Sequence, residues 1–98
     1  MKITYDPAKN ERNIRERGLC FERAQEFDFE TAYLGTEVRS REIRKLAVGY
    51  LERRLHVLCY LVIPGSIRVI SFRRANERGE KVWQTENPGQ MTRARFAS

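Results

Sequence analysis

The residues of this chain that could do chemistry are mostly arginines. Nineteen basic residues against thirteen acidic ones give a formal charge of +6, and 15 of the nineteen are arginine against 4 lysine. A guanidinium forks onto two oxygens of a phosphate or carboxylate, stacks on a base and stays charged at any working pH. A surplus of this kind suits an anionic partner, either nucleic acid or an acidic protein. A coding composition that favours arginine codons would produce the same excess.

The other reactive residue types are scarce. His56 is the single histidine, so a ribonuclease working with a pair of histidines is impossible within one chain. It lies inside an apolar run, which favours a structural role. Asp6 and Asp28 are the only aspartates. Because Asp6 already fits a helix cap, a carboxylate cluster for two magnesium ions would have to rely on glutamates. There is no metal-ligand spacing, no phosphate-cradling glycine loop and no nucleophile elbow, so neither metal nor cofactor is expected. Cys20 and Cys59 do not form a C-x-x-C pair and read as reduced thiols, Cys59 within the core.

Arginine chemistry remains. RNA cleaved by its own 2'-hydroxyl needs that hydroxyl aligned, charge on the phosphoryl oxygens neutralised and protons moved. Arg68 lies within a strand, with Arg73 and Arg74 at its exit. Simple alternation puts Arg68, Ile70, Phe72 and Arg74 on one face. An arginine among apolar positions is costly unless it is functional or paired; Glu42 and Glu52 are the partners a structural role would use. Glu42, Tyr50 and His56 are all candidates for the general base.

The elements that must position these residues can be read coarsely. Lys2 to Tyr5 alternates as a short strand. Asp6-Pro7 reads as an N-cap with proline at the first helical position, and Gly18 as the stop of a helix through Arg17. That helix is polar almost all round, with only Ala8 and Ile14 available to pack. Leu19 to Phe29 carries a second short helix, in which Phe21, Ala24 and Phe27 make an apolar stripe. Tyr33 to Ile43 is ambiguous. Leu46 to Leu51, Leu55 to Ile63 and Ser66 to Arg73 read as strands of an antiparallel meander, turning at Glu52-Arg53 and Pro64-Gly65. The middle strand is nearly all apolar, so both its faces should be covered. Ala75 to Trp83 is a weak helix interrupted by Gly79. The order implies an α+β domain with its helices on one face.

Certain residues carry a resemblance. Tyr5-Asp6-Pro7-Ala8-Lys9-Asn10-Glu11-Arg12-Asn13-Ile14, then Gly18, Phe21 and Ala24, resembles the opening of BrnT toxins. Arg44, Ala47-Val48-Gly49 and Arg54-Leu55 are similar to the family's middle strands, and Ile67-Arg68-Val69-Ile70-Ser71 with Arg73-Arg74-Ala75 to its late block. Arg17 stands where the family usually carries a histidine. The resemblance spans roughly residues 2–83. It implies a RelE-like ribonuclease fold, with N-terminal helices and a C-terminal helix on a central antiparallel sheet. It also implies a metal-independent endoribonuclease toxin, neutralised by a BrnA-like antitoxin with a ribbon-helix-helix part. Operator DNA would be reached only through that antitoxin. On this reading Arg44, Arg68, Arg73 and Arg74 hold the phosphate, while Lys9 and Arg12 on the first helix bind RNA.

The alternative is a basic module, catalytically weak or inactive, that acts only in the antitoxin complex and in operator repression. At 98 residues the chain reads as one domain over residues 1–83, with a polar, loose tail over 84–98. No apolar run is long enough for a bilayer, and no apolar stretch precedes the first charges. A cytoplasmic protein is expected.

Overall fold

The structure, a computed structural model, describes residues 2–86. Its centre is the apolar run that sequence alone marks out. That run forms β4 (Arg54–Ile63), flanked by β3 (Glu42–Leu51) and β5 (Ser66–Arg74), both antiparallel to it. β2 (Tyr33–Arg39) pairs antiparallel with β3, and β1 (Ile3–Tyr5) pairs parallel with β5. The strand order is β1-β5-β4-β3-β2.

The sheet is therefore mixed, which corrects the expectation of an antiparallel one. No hairpin joins β1 to β5, so no turn fixes their relative direction. The helix after β1, α1 (Pro7–Arg17), fills the place beside β5 that β1 leaves open. There Asn13 Nδ2 donates to the Phe72 carbonyl at 2.8 Å. A parallel β1 delivers the chain to that place.

The ambiguous stretch resolves into β2, a tight turn and an early start to β3. Arg39 pairs with Glu42 across a two-residue turn, in which Ser40 and Arg41 have φ of 50° and 66°. Two residues in the left-handed region are what the favoured two-residue hairpin turn requires. The usual Asn-Gly is missing, so sequence gives no warning of the turn.

Over residues 46–51 of β3 and 55–60 of β4 both faces carry apolar side chains, and both are covered there. On the front face Ala47, Leu51, Leu58, Ile67, Val69 and Phe72 pack with Leu19, Phe21, Ala24 and Phe27. On the back face Val48 and Val57 pack under Trp83 of α2 (Glu77–Glu86). The helices thus lie on both faces, not on one; an uncovered back face would have left this second cluster in water. The second N-terminal helix is a 3₁₀ segment, Phe21–Glu26. Phe21, Ala24 and Phe27 recur every third residue, which matches the three residues per turn of a 3₁₀ helix. The last helix starts at Glu77 because the Asn76 side chain accepts the Gly79 N–H at 3.0 Å and caps it. It runs on through Glu86; of the expected tail, residues 87–98 lie outside the described residues.

The polar helix α1 is anchored by asparagines. Ala8 is exposed and Ile14 partly so, while Asn10 and Asn13 are buried. Asn10 Oδ1 accepts the Phe21 N–H at 2.8 Å. Asn13 Nδ2 reaches the Leu19 carbonyl as well as that of Phe72, each at 2.8 Å. Gly18, with φ 65°, ends the helix by donating its N–H to Ile14 O at 2.7 Å. That left-handed turn sends the chain under the sheet.

Candidate active site

Strand alternation along β5 breaks at Ile70. Tyr60 pairs with Val69 and Cys59 with Ser71, leaving Ile70 as an extra residue in a β-bulge. The bulge shifts parity, so Val69 and Phe72 both face the front core. It also separates arginines that simple alternation groups together. Arg68 pairs with Leu61 on the back face, whereas Arg74 pairs with His56 on the front.

The front face opens at this end into a cleft of about 470 Å³, lined by arginines from several elements. Arg17 comes from the end of α1, Arg23 from the 3₁₀ segment, Arg53 from the β3–β4 turn, Arg54 from the start of β4 and Arg74 from the end of β5. Among the described residues Glu52 is the single carboxylate of the lining, and it is held by Arg23 at 2.7 Å. Arg17, Arg53, Arg54 and Arg74 have no ion-pair partner among the described residues. Guanidinium groups gathered without counter-charge repel one another, and an anion entering the cleft relieves that repulsion. Glu52 has φ 57°, a left-handed conformation uncommon for a residue with a side chain. It stands at the first position of the two-residue turn that brings Arg53 and Arg54 to the rim.

His56 lines the same cleft. Its ring packs against Phe72 at 5.7 Å between centroids, and its Nδ1 lies 2.9 Å from the Arg54 carbonyl oxygen. A carbonyl only accepts, so Nδ1 carries the hydrogen and the neutral ring presents a bare Nε2. That nitrogen has no hydrogen-bond partner among the described residues, yet it is not a buried orphan. It therefore reaches solvent. Burial pushes the imidazole pKa below its usual range; the bond to Arg54 opposes this, and the charges of Arg74, Arg23 and Arg54 add to it. A neutral imidazole with a free ring nitrogen among cations can accept a proton at neutral pH.

The structure distributes the sequence candidates unevenly. Of Arg44, Arg68, Arg73 and Arg74, only Arg74 enters the cleft. Arg73 points to the back face, in register with Val57, and donates to its neighbour's carbonyl at 3.2 Å. Arg44 is also on the back face, occupied by Glu42 at 2.8 Å. Arg68 is exposed there without an ion-pair partner among the described residues, since Glu42 pairs with Arg44 and Glu52 with Arg23. Lys9 and Arg12 line a smaller hollow of about 240 Å³ along α1. Arg17 borders both spaces, which joins the two into one basic track. Arg12 is itself paired with Glu16 at 2.9 Å. Of the other base candidates, Tyr50 lies on the back face against Trp83, and burial raises its pKa. Among the described residues no group of three or more His, Cys, Asp or Glu could hold a metal ion.

A model of the family described as ribonuclease toxin, BrnT, of type II toxin-antitoxin system matches residues 5–79. The chain belongs to the BrnT family. No curated protein matches it. A toxin of this class has an antitoxin partner. Among the described residues no helix is long and apolar enough to cross a membrane.

For a BrnT-family chain the residues missed by sequence reasoning are Arg17, Arg53 and Arg54 as a group. Arg17 lies far in sequence from Arg53 and Arg54 and meets them only because α1 ends beside the β3–β4 turn. One signal was available: Glu52-Arg53 reads as a tight turn, and a turn after a buried strand places the next side chains at the sheet's end.

Proposed function

We propose that this chain is a metal-independent endoribonuclease toxin whose active site is the arginine cleft around His56. One observation carries the reading: four guanidinium groups without carboxylate partners surround an imidazole whose tautomer is fixed and whose Nε2 is free. In the reaction the RNA 2'-hydroxyl attacks the adjacent phosphorus and the bond to the 5' oxygen breaks. His56 Nε2 takes the hydroxyl proton, and water protonates the leaving oxygen. Arg74, Arg54 and Arg17 hold the phosphoryl oxygens as charge builds there, the step at which fixed cations help most. Lys9 and Arg12 guide the strand along α1 toward Arg17. The antiparallel core of the sheet and its flanking helices suit a RelE-like ribonuclease. The partner is a BrnA-like antitoxin with a ribbon-helix-helix part, through which alone the complex reaches operator DNA, and the pair works in the cytoplasm.

The test is cleavage of end-labelled RNA by the purified chain in excess EDTA. The reading expects cleavage to persist and to leave 2',3'-cyclic phosphate and 5'-hydroxyl ends. Loss of cleavage in EDTA with rescue by magnesium overturns it.

A further inference from the structure

Among the described residues, four of the five exposed large apolar side chains share one region of the front face. Leu34, Val38, Ile43 and Val62 are 58%, 70%, 63% and 66% exposed. Val38 pairs with Ile43, and Val62 with Ile67. Continuing the β3–β4 register, in which Lys45 meets Tyr60, aligns Ile43 with Val62. Val38, Ile43 and Val62 thus form an apolar row across three strands, with Leu34 further along β2. The 3₁₀ segment covers the front face only at its other end, over Ala47, Leu58 and Phe72. An uncovered apolar patch on a sheet face marks an interaction surface.

The charges around the patch select its occupant. Lys45 rises from the same face, in register with Thr36, whose hydroxyl lies 3.4 Å from its ammonium. Arg41 stands at the tip of the β2–β3 turn. Neither has an ion-pair partner among the described residues. The acids of this end, Glu37 and Glu42, are on the back face and already held by Arg39 and Arg44. The front patch is therefore apolar with unopposed cations, the complement of an amphipathic segment carrying carboxylates. β2 is also an edge strand, and among the described residues no strand pairs with its outer side.

We infer that Val38, Ile43, Val62 and Lys45 form the anchoring surface for an acidic, amphipathic segment of the antitoxin. The inference rests on the toxin reading above, since it takes the antitoxin as partner. It departs from a model in which antitoxin and RNA compete for one surface. The patch and the cleft lie toward opposite ends of β3: from Ile43 to Leu51 the strand rises roughly 27 Å. A segment seated on the patch leaves the cleft open, so neutralisation needs a second part of the antitoxin reaching the arginines. Anchoring and inhibition are then separable.

The experiment measures binding of the purified antitoxin, expressed from the reading frame beside the toxin gene, to toxin variants whose RNA cleavage is assayed in parallel. The double variant Val38→Glu with Ile43→Glu is expected to bind antitoxin at least a hundredfold more weakly and to cleave RNA within twofold of the parent chain. A second double variant, Val38→Thr with Ile43→Thr, keeps β-branched side chains for folding and is expected to lose about tenfold. A folded variant that binds antitoxin within threefold of the parent overturns the inference. So does a toxin that sediments alone as a dimer, which the variants split without any change in antitoxin affinity; the occupant is then a second copy of the chain. If the parent cleaves no RNA but the variants still lose antitoxin binding, the anchoring surface stands and the ribonuclease reading falls.

Discussion

His56 donates its Nδ1 hydrogen to the carbonyl oxygen of Arg54, two residues earlier on the same strand, at 2.9 Å. Residues i and i+2 of a strand share a face, so this bond fixes the imidazole beside the guanidinium whose carbonyl orients it. The ring then has one possible neutral tautomer, with Nε2 toward the cleft. On the neighbouring strand Arg74 sits in register with His56. Backbone pairing thus sets the proposed proton acceptor and the proposed phosphate-binding arginine directly opposite each other on adjacent strands.

The pH dependence of cleavage follows from the ring's surroundings. Burial lowers the His56 pKa, and the charges of Arg74, Arg23 and Arg54 lower it further against the bond to the Arg54 carbonyl. The remaining charged groups of the cleft are Arg17, Arg53 and Glu52. Single-turnover cleavage should rise with pH along an acid limb whose midpoint lies below about 6.5, the ordinary histidine value. His56→Gln should remove the acid limb and slow cleavage on the order of 10²–10⁴-fold, the usual contribution of a positioned acid or base. An acid limb unchanged in His56→Gln assigns the proton to another group.

The same shift acts on stability. A histidine whose folded pKa is lowered binds fewer protons when folded than when unfolded, so stability rises with pH through the interval between the two values. The stabilisation is complete above about 6.5 and is lost as pH falls toward the folded pKa. The melting temperature should increase from pH 5 to pH 7. In His56→Phe, which keeps a ring against Phe72, that part of the slope should vanish in a thermal melt followed by circular dichroism.

The strands of the fold were legible because burial imposes a pattern. Leu55 to Ile63 is apolar on both faces, and the structure covers both from Leu55 to Tyr60. The helix α1 was legible from Asp6-Pro7 and Gly18, but its packing was not, because the residues it buries are Asn10 and Asn13. Asparagine carries no periodic signal; its partners, the Phe21 N–H and the Leu19 and Phe72 carbonyls, are backbone groups distant in sequence. The candidate site was legible only in part for a similar reason. Arg74 and His56 stand out on their strands, but the bulge at Ile70 reverses the face of Arg68, and a one-residue irregularity leaves no mark in the residue types. Arg17, Arg53 and Arg54 converge through tertiary placement that alternation does not encode.

Asn13 gives a direct measure of that hidden anchoring. Its side-chain amide satisfies two backbone carbonyls and accepts from Arg17 Nη1 at 3.3 Å. Asn13→Ala leaves the Leu19 and Phe72 carbonyls without this donor, at a cost of about 1–3 kcal/mol. Urea denaturation should show the midpoint falling with an unchanged slope. Because Asn13 also steadies Arg17 at the cleft, cleavage should slow as well, under conditions where the variant is fully folded.

Gly49 tests the packing beneath the cleft. A Cβ there would stand 2.8 Å from the Ala32 Cβ and 3.0 Å from both the Asp28 carbonyl oxygen and the Phe27 ring. The Asp28 N–H donates to the Tyr50 carbonyl at 2.9 Å, which holds this loop close against β3. Gly49→Ala should destabilise the fold by about 1–3 kcal/mol through overpacking, seen as a lower melting temperature. An unchanged melt would mean that the Asp28 loop moves away without cost.

Arg74 and Arg68 lie on the same strand but on opposite faces, so they decide which face cleaves RNA. Arg74 lines the cleft beside His56; Arg68 is exposed on the back, next to Leu61 and Thr4. Neither side chain holds an ion pair among the described residues, so Arg74→Ala and Arg68→Ala leave no carboxylate stranded and should both fold. Losing a cation that meets charge only in the transition state commonly costs around a hundredfold in rate. Arg74→Ala should therefore lower single-turnover cleavage about a hundredfold and relieve growth arrest on induction. Arg68→Ala should cleave within threefold of the parent chain and remain toxic. The reverse result, with Arg68→Ala inactive and Arg74→Ala active, would move the catalytic surface to the back face, where Arg44 and Arg73 also lie. Equal losses in both variants would mean that the RNA uses the two faces of the sheet together.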